Sequence, residues 1–212
     1  MRKITTIILL FGLSFVQCIS SKAQNWDIDL LKQINQSSSK GLHNYSVFVS
    51  KTTYATVVGV PLIMGTTALI CHNDELLKDA LYVGVSLGVT TVLTYGLKYS
   101  VDRTRPYNKY PEVLYVPYPE SSASFPSGHT SISFATATAL SLKYPKWYVI
   151  VPSFAWACSV GYSRMNLGVH YPSDVLAGAA LGIGSTYLTY KVNDWVWKKY
   201  DNKKLLVEWQ AF

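Results

Sequence analysis

The chain has 212 residues, 49% of them hydrophobic and only 15% charged, with 19 lysine and arginine residues against 12 aspartate and glutamate for a formal charge of +7. One domain's worth of chain with so few charges points away from an ordinary water-soluble domain and toward the membrane. The three cysteines, Cys18, Cys71 and Cys158, have no regular spacing, which excludes a disulfide framework or a thiolate metal site and reads as buried, inert thiols.

The N-terminus carries Arg2 and Lys3, an apolar run from Ile4 to about Val16, and small residues at Ser21 and Ala23. Residues 1–23 therefore read as a secretory signal peptide, with lipoprotein processing at Cys18 and retention as an uncleaved anchor as the alternatives. A polar stretch with a short helical pattern in WDIDLLKQIN follows. Apolar helices are then expected at about 47–71 and 80–98, each near the roughly 20 residues that cross a bilayer's hydrocarbon. The short connection HNDELLKD makes them an antiparallel pair.

Residues 99–127 contain Pro106, Pro111, Pro117, Pro119 and Pro126, too many for a helix interior, so this is a long loop. Further helices are expected at about 128–143, 148–162 and 174–191. The first mixes small polar residues among apolar ones, as suits a helix facing other helices. The fold class is thus all-α, an antiparallel helical bundle embedded in the membrane, with a long loop over one end. Lys143, Lys146, Lys191, Lys198, Lys199, Lys203 and Lys204 fall at ends that an up-and-down bundle places on one side, which the positive-inside rule makes cytoplasmic. Trp147, Trp195 and Trp197 suit an interfacial aromatic belt, with packing in a soluble core as the alternative.

The opposite side collects the chemistry. Only four arginines exist, and Arg103, Arg105 and Arg164 lie in two short polar stretches. Arginine is favoured where a planar, permanent charge must grip phosphate or carboxylate. Three segments should converge there: Lys98 to Pro106, the stretch SFPSGHTS, and SRMNLGVHYPSD. In Pro126-Ser127-Gly128-His129 a turn feeds directly into a helix, whose free N–H groups attract anions. Gly128 allows close backbone approach, and Ser127 either caps the helix or donates to an oxygen. Asp174 follows His170 by four residues, with Pro172 between them starting the next helix, so the carboxylate can turn back onto the imidazole and set its tautomer. Such a histidine among fixed cations is suited to attack phosphorus, and His129 to protonate the leaving alkoxide and later deprotonate water.

Lys98 with Arg105-Pro106, then Pro126-Ser127-Gly128-His129, then Ser163-Arg164 with His170 and Asp174, resembles in order the three-part signature of the type 2 phosphatidic acid phosphatase family, which includes class A acid phosphatases and vanadium haloperoxidases. The resemblance spans residues 98 to 174 and implies a single phosphatase domain over 24–212. It implies phosphate binding by Lys98, Arg105, Ser127, Gly128 and Arg164, a nucleophilic His170 partnered by Asp174, and His129 as general acid, with Arg103 and Ser163 as less certain members. It implies no metal and no cofactor.

The partners expected are a lipid phosphate and the membrane, with no nucleic acid. The site would face the periplasm from the bacterial inner membrane. By resemblance the substrate is lipid A, undecaprenyl pyrophosphate or phosphatidylglycerol phosphate, lipid A being favoured by the small layout and leader. The Tyr- and Pro-rich loop from Tyr107 to Phe125 either lines a lipid entry or merely covers the site. A soluble periplasmic acid phosphatase, a haloperoxidase and a non-enzymatic binder of anionic lipid head groups are the other readings.

Overall fold

In a computed structural model, the structure describes residues 26–114, 116 and 119–210, with side chains to residue 199. The leader expected over residues 1–23 lies outside the described residues. Among the described residues seven helices follow one another: α1 over residues 26–36, α2 over Lys40–Ile70, α3 over Asp74–Val101, α4 over Pro106–Lys109, α5 over Gly128–Lys143, α6 over Trp147–Asn166 and α7 over Pro172–Gln210. No strand occurs among the described residues.

Local sequence sets several boundaries. The Ser39 side chain accepts from the Leu42 N–H at 3.2 Å to start α2, and Asn73 does the same for Leu76 at 3.0 Å to start α3. Helix α3 stops at Asp102, whose φ of 43° lies in the left-handed region. Helix α2 starts at Lys40 rather than near residue 47, because the polar turn KGLHNYS continues the helical register below the apolar run. Helix α7 runs well past residue 191. Its lysine-rich end stays helical with the help of an Asp194–Lys198 pair at 2.8 Å, so the helix outlasts its apolar portion.

The bundle is polar and small inside and apolar outside. Helix α5 buries Thr130, Ser131, Ser133, Ala135, Thr136, Ala137, Thr138 and Ala139, while Ile63, Ile70, Leu81 and Val92 on α2 and α3 are exposed. Water would penalise that arrangement, whereas lipid does not. Both α2 and α3 are long and apolar enough to cross a membrane. The exposure corrects one expectation: Cys71 and Cys158 are exposed rather than buried, because an apolar run in this chain faces outward. Trp147, the first residue of α6, and Trp195, within α7, are likewise exposed, which departs from packing in a soluble core.

Close packing between α5 and α7 depends on glycine. A Cβ at Gly182 would come within 2.2 Å of the Ser131 carbonyl oxygen, and one at Gly178 within 2.7 Å of the Ser127 carbonyl oxygen. Backbone approach of this kind is what the small residues of a G-xxx-G spacing allow. It brings the N-terminal ends of α5 and α7 together, where the Ser127 N–H donates to the Asp174 carbonyl at 3.0 Å. Helix α1 lies over this end, its Ile28 and Leu31 packed with Leu114 and Tyr171.

Candidate active site

The link from α3 to α4, the loop entering α5, and the turn between α6 and α7 meet at this end. Arg105 is 2% exposed and held along its length: Nε donates to the Ser122 carbonyl at 2.6 Å and Nη1 to the Val169 carbonyl at 3.0 Å. Nη1 also stands 3.3 Å from His170 Nε2. Arginine offers no acceptor, so the lone pair of Nε2 faces the guanidinium and the ring proton sits on Nδ1. Nδ1 is 3.6 Å from Asp174 Oδ2, an ion-pair separation longer than a hydrogen bond. Burial is the main cause that lowers the His170 pKa, to about 4. The nearby Asp174 carboxylate pulls it upward, and Arg105 and Arg164 pull it down. The ring is therefore neutral at pH 7, with its Nε2 lone pair accepting from Arg105 Nη1 on the cation side.

Asp174 is fully buried and its acceptors are well used. Oδ1 accepts from Arg103 Nη1 at 2.6 Å, and Oδ2 accepts from Ser124 Oγ at 2.5 Å and from the Tyr171 N–H at 3.0 Å. The same carboxylate thus receives bonds from all three segments.

Arg164 rises from α6, 4% exposed, and donates through Nη1 to Ser50 Oγ of α2. Its Nη2 pairs with Glu120 Oε1, while Arg105 Nη2 pairs with Glu120 Oε2 at 2.7 Å. One carboxylate therefore bridges the two guanidinium groups, each oxygen on a separate arginine, as two oxygens of a phosphoryl group would. Burial alone would raise the Glu120 carboxyl, but Arg164 and then Arg105 outweigh it and hold it down at about 2. Lys98 Nζ donates to the Ala123 carbonyl from the end of α3.

A cavity of about 260 Å³ is lined by Lys98, Glu120, Gly128, His129 and His170. A larger one of about 700 Å³ shares Glu120 and His129 and reaches Ser50, Lys51 and Arg164. His129 lies in the first turn of α5 with its ring edge against Tyr54, centroids 4.9 Å apart. A Cβ at Gly128 would meet only Lys98 Cε and Thr94 Cγ2 at 3.8 Å, so protein packing alone does not demand glycine there. Ser127 occupies the cap position of α5 without a side-chain bond to its backbone, and its Oγ instead pairs with Thr130 Oγ1 at 2.8 Å.

Lys98, Arg105, Gly128, His129, Arg164, His170 and Asp174 are thus brought together. Arg103 and Ser163 are not. Arg103 lies behind Asp174, and Ser163 Oγ donates to the Val160 carbonyl at 2.7 Å. Glu120, Asp27, Ser124 and Ser50 were missed by sequence reasoning. Among the described residues no three His, Cys, Asp or Glu side chains converge as metal ligands.

The all-α bundle thus gathers two histidines and several cations at one end, around two adjoining cavities. The chain belongs to the PAP2 superfamily, whose model matches residues 79–198, more than half of its length. It is 33% identical to an undecaprenyl-diphosphatase of Sulfolobus acidocaldarius over 79% of this chain and 78% of that protein. It is 38% identical to a lipid A 1-phosphatase of Rhizobium johnstonii over 52% of this chain and 49% of that protein, so the match spans about half of that relative. The crystal structure of Aquifex aeolicus LpxE superposes with a TM-score of 0.67 at 26% identity, covering 78% of this chain and 95% of that one. The chain is a helical membrane phosphatase.

Proposed function

We propose that the protein removes a phosphate from a membrane lipid through a phosphohistidine intermediate, with its site facing the periplasm from the bacterial inner membrane. The observation that carries this reading is the bridge from Arg105 through Glu120 to Arg164, built beside the unprotonated Nε2 of His170. Two guanidinium groups that hold a carboxylate by separate oxygens will hold phosphoryl oxygens in the same way once that carboxylate leaves.

In this reading His170 Nε2 attacks phosphorus. A P–N bond forms while the P–O bond to the lipid breaks, and the leaving oxygen takes a proton from His129. Bound phosphate beside His129 favours that ring's protonated form. Water then attacks phosphorus, gives its proton to His129, and the P–N bond breaks to release inorganic phosphate. Arg105, Arg164, Lys98 and the N-terminus of α5 at Ser127 and Gly128 stabilise the charge on the phosphoryl oxygens throughout. Asp174 orients His170 and stabilises the positive charge the ring acquires. No step requires a metal or a cofactor.

Lipid A is the favoured substrate, supported by the lipid A 1-phosphatase relative. Undecaprenyl diphosphate is the second reading, because the undecaprenyl-diphosphatase match spans more of both chains. The test offers detergent-purified protein lipid A, undecaprenyl diphosphate and phosphatidylglycerol phosphate in excess chelator and measures phosphate release. Release confined to lipid A and blocked by vanadate is expected. Release from undecaprenyl diphosphate alone selects the second reading, and no release from any lipid rejects both. The enzyme class is tested against an anionic-lipid binder by His170→Ala, which should abolish turnover.

A further inference from the structure

We propose that Asp27, on the amphipathic helix α1, is a positioning residue for the reaction: it fixes Arg103, and through Arg103 it sets the Asp174 carboxylate that faces His170. The inference rests on the phosphatase reading above for its kinetic consequences. Asp27 belongs to none of the three signature segments and lies outside the residues matched by the family model.

The geometry forms a chain of charges. Asp27 is 3% exposed, although it sits in the first turn of a helix at the edge of the bundle. Its Oδ2 accepts from Arg103 Nη2 at 2.9 Å. The other amino group of the same guanidinium, Nη1, donates to Asp174 Oδ1 at 2.6 Å and to Ser173 Oγ at 2.7 Å. The guanidinium also stands over the Tyr171 ring, 4.0 Å from its centroid. Arg103 is therefore fixed by two carboxylates at its two ends and a ring on its face. Ser173, next to Asp174, is tied in as well: its N–H donates to Asp27 Oδ1 at 2.9 Å and its hydroxyl to Asp27 Oδ2.

Two consequences follow for Asp174. Rotation of its carboxylate is set by Arg103 on Oδ1, which leaves Oδ2 directed at His170 Nδ1. The negative charge of Asp27 also offsets part of the positive field of Arg103, so the net potential at Asp174 is less positive than it would be beside Arg103 alone. Loss of the Asp27 charge would turn the full attraction of Arg103 onto Asp174 and leave Nη2 without its carboxylate. Positioning errors of about 1 Å in such shells cost roughly 100-fold in rate. Helix α1 is well placed to impose this geometry. Its apolar face packs on Leu114 and Tyr171, and Asn35 at its far end donates to the Asn166 carbonyl at 2.8 Å, so it braces both ends of the turn that leads into Asp174.

The competing account makes Asp27 a helix cap, since Ser173 is in the first turn of α7 and its N–H is one that the helix leaves free. A double-mutant cycle separates the two. Full-length wild type, Asp27→Asn, Arg103→Met and the double variant are purified in detergent and assayed for phosphate release from the lipid that wild type turns over. Asp27→Asn should lower kcat by about 10- to 100-fold, on the scale of supporting-shell losses, with KM little changed. The double variant should be no slower than Arg103→Met, because Asp27 acts through Arg103. Losses that multiply, or an Asp27→Asn variant as fast as wild type, overturn the proposal. Asp27→Ser keeps an acceptor for the Ser173 N–H without the carboxylate; a fully active Asp27→Ser identifies a cap and also overturns it. A readout independent of turnover is the ring 15N spectrum of His170. It should change in Asp27→Asn and not change further between Arg103→Met and the double variant. An unchanged spectrum in Asp27→Asn refutes the inference even if wild type releases no phosphate, whereas a changed spectrum without wild-type turnover faults only the phosphatase reading.

Discussion

Replacing Glu120 by Gln should make the protein bind phosphate-like anions more tightly, the opposite of what loss of an active-site contact ordinarily does. The Glu120 oxygens stand on the Nη2 groups of Arg105 and Arg164, and a phosphoryl group held by the same pair requires them to leave. Every anionic ligand therefore competes with an internal one. The fall of the Glu120 pKa from 4.5 to about 2 corresponds to about 3 kcal/mol of preference for the charged form at that place. Its side chain is 30% exposed, so solvent screening reduces the net hold to about 1–2 kcal/mol. Glutamine keeps the shape but withdraws the charge, so the inhibition constant for orthovanadate should fall by about 10-fold. The assay is vanadate inhibition of phosphate release at fixed ionic strength, with the substrate KM determined alongside; KM should fall in parallel. An unchanged or weaker vanadate affinity would refute the reasoning, because Glu120 would then not occupy the phosphate position in the working protein.

The remaining expectations follow from the same geometry. His170→Ala should lower kcat by roughly 1,000-fold or more while thermal unfolding in detergent remains cooperative; release at the wild-type rate would remove His170 from the nucleophile's role. Acidification should destabilise the fold. His170 titrates at about 4 when folded against 6.5 ordinarily, so the unfolded chain takes up a proton first and stability falls as pH drops from 6.5 to 4. Glu120, at about 2 against 4.5, adds stability that is present above pH 4.5 and lost as pH falls through 2. Scanning fluorimetry from pH 7 to 4 should show the first window, and His170→Gln should flatten it. On the activity side the attacking ring must be neutral while His129 must carry a proton, so kcat/KM should rise through pH 4 on the acid side and fall on the alkaline side as His129 loses its proton. Gly182→Ala, with a Cβ 2.2 Å from the Ser131 carbonyl oxygen, should cost about 1–3 kcal/mol or more, whereas Gly184→Ala, with nothing within 4 Å, should change stability by less than about 0.5 kcal/mol. Equal melting temperatures for the two variants would contradict the close approach of α5 to α7.

What could be read from the residues alone divides along a physical line. Helices whose sequence changes character sharply were legible: the prolines between Val101 and Ser127 break the chain where α3 ends and α5 begins, and the uncharged runs mark α2 and α3. Cations and histidines at a bundle end were legible too, because few groups in so apolar a chain can be there without a chemical reason. The Cys71 and Cys158 positions misled, since an apolar neighbourhood in sequence does not distinguish protein interior from lipid. Glu120 was hidden because a single acid in a Pro- and Tyr-rich loop has no periodicity to place it, and only folding sets it between two arginines 15 and 44 residues away.

Asp27 was hidden for a different reason, and the difference bears on how the site is built. The groups that touch phosphate are cations that must stay charged in a buried place, and burial of so many like charges is unfavourable unless carboxylates accompany them. The arginines of this end pair accordingly: Arg103 with Asp27 and Asp174, and Arg105 and Arg164 with Glu120. The two groupings differ in what a substrate does to them. An incoming phosphate replaces Glu120, so the second grouping keeps its balance only when either the loop or the ligand is in place. The first has no position that a ligand can take, since both oxygens of Asp27 are held by Arg103 and Ser173. One carboxylate is thus exchangeable and the other permanent. If that division holds, neutralising Glu120 changes anion affinity and leaves the His170 ring spectrum near wild type. Neutralising Asp27 does the reverse, changing the ring spectrum and kcat with little effect on vanadate binding. A vanadate affinity that shifts equally in Glu120→Gln and Asp27→Asn would mean that the charges act as one pool, and the separation of roles would be wrong.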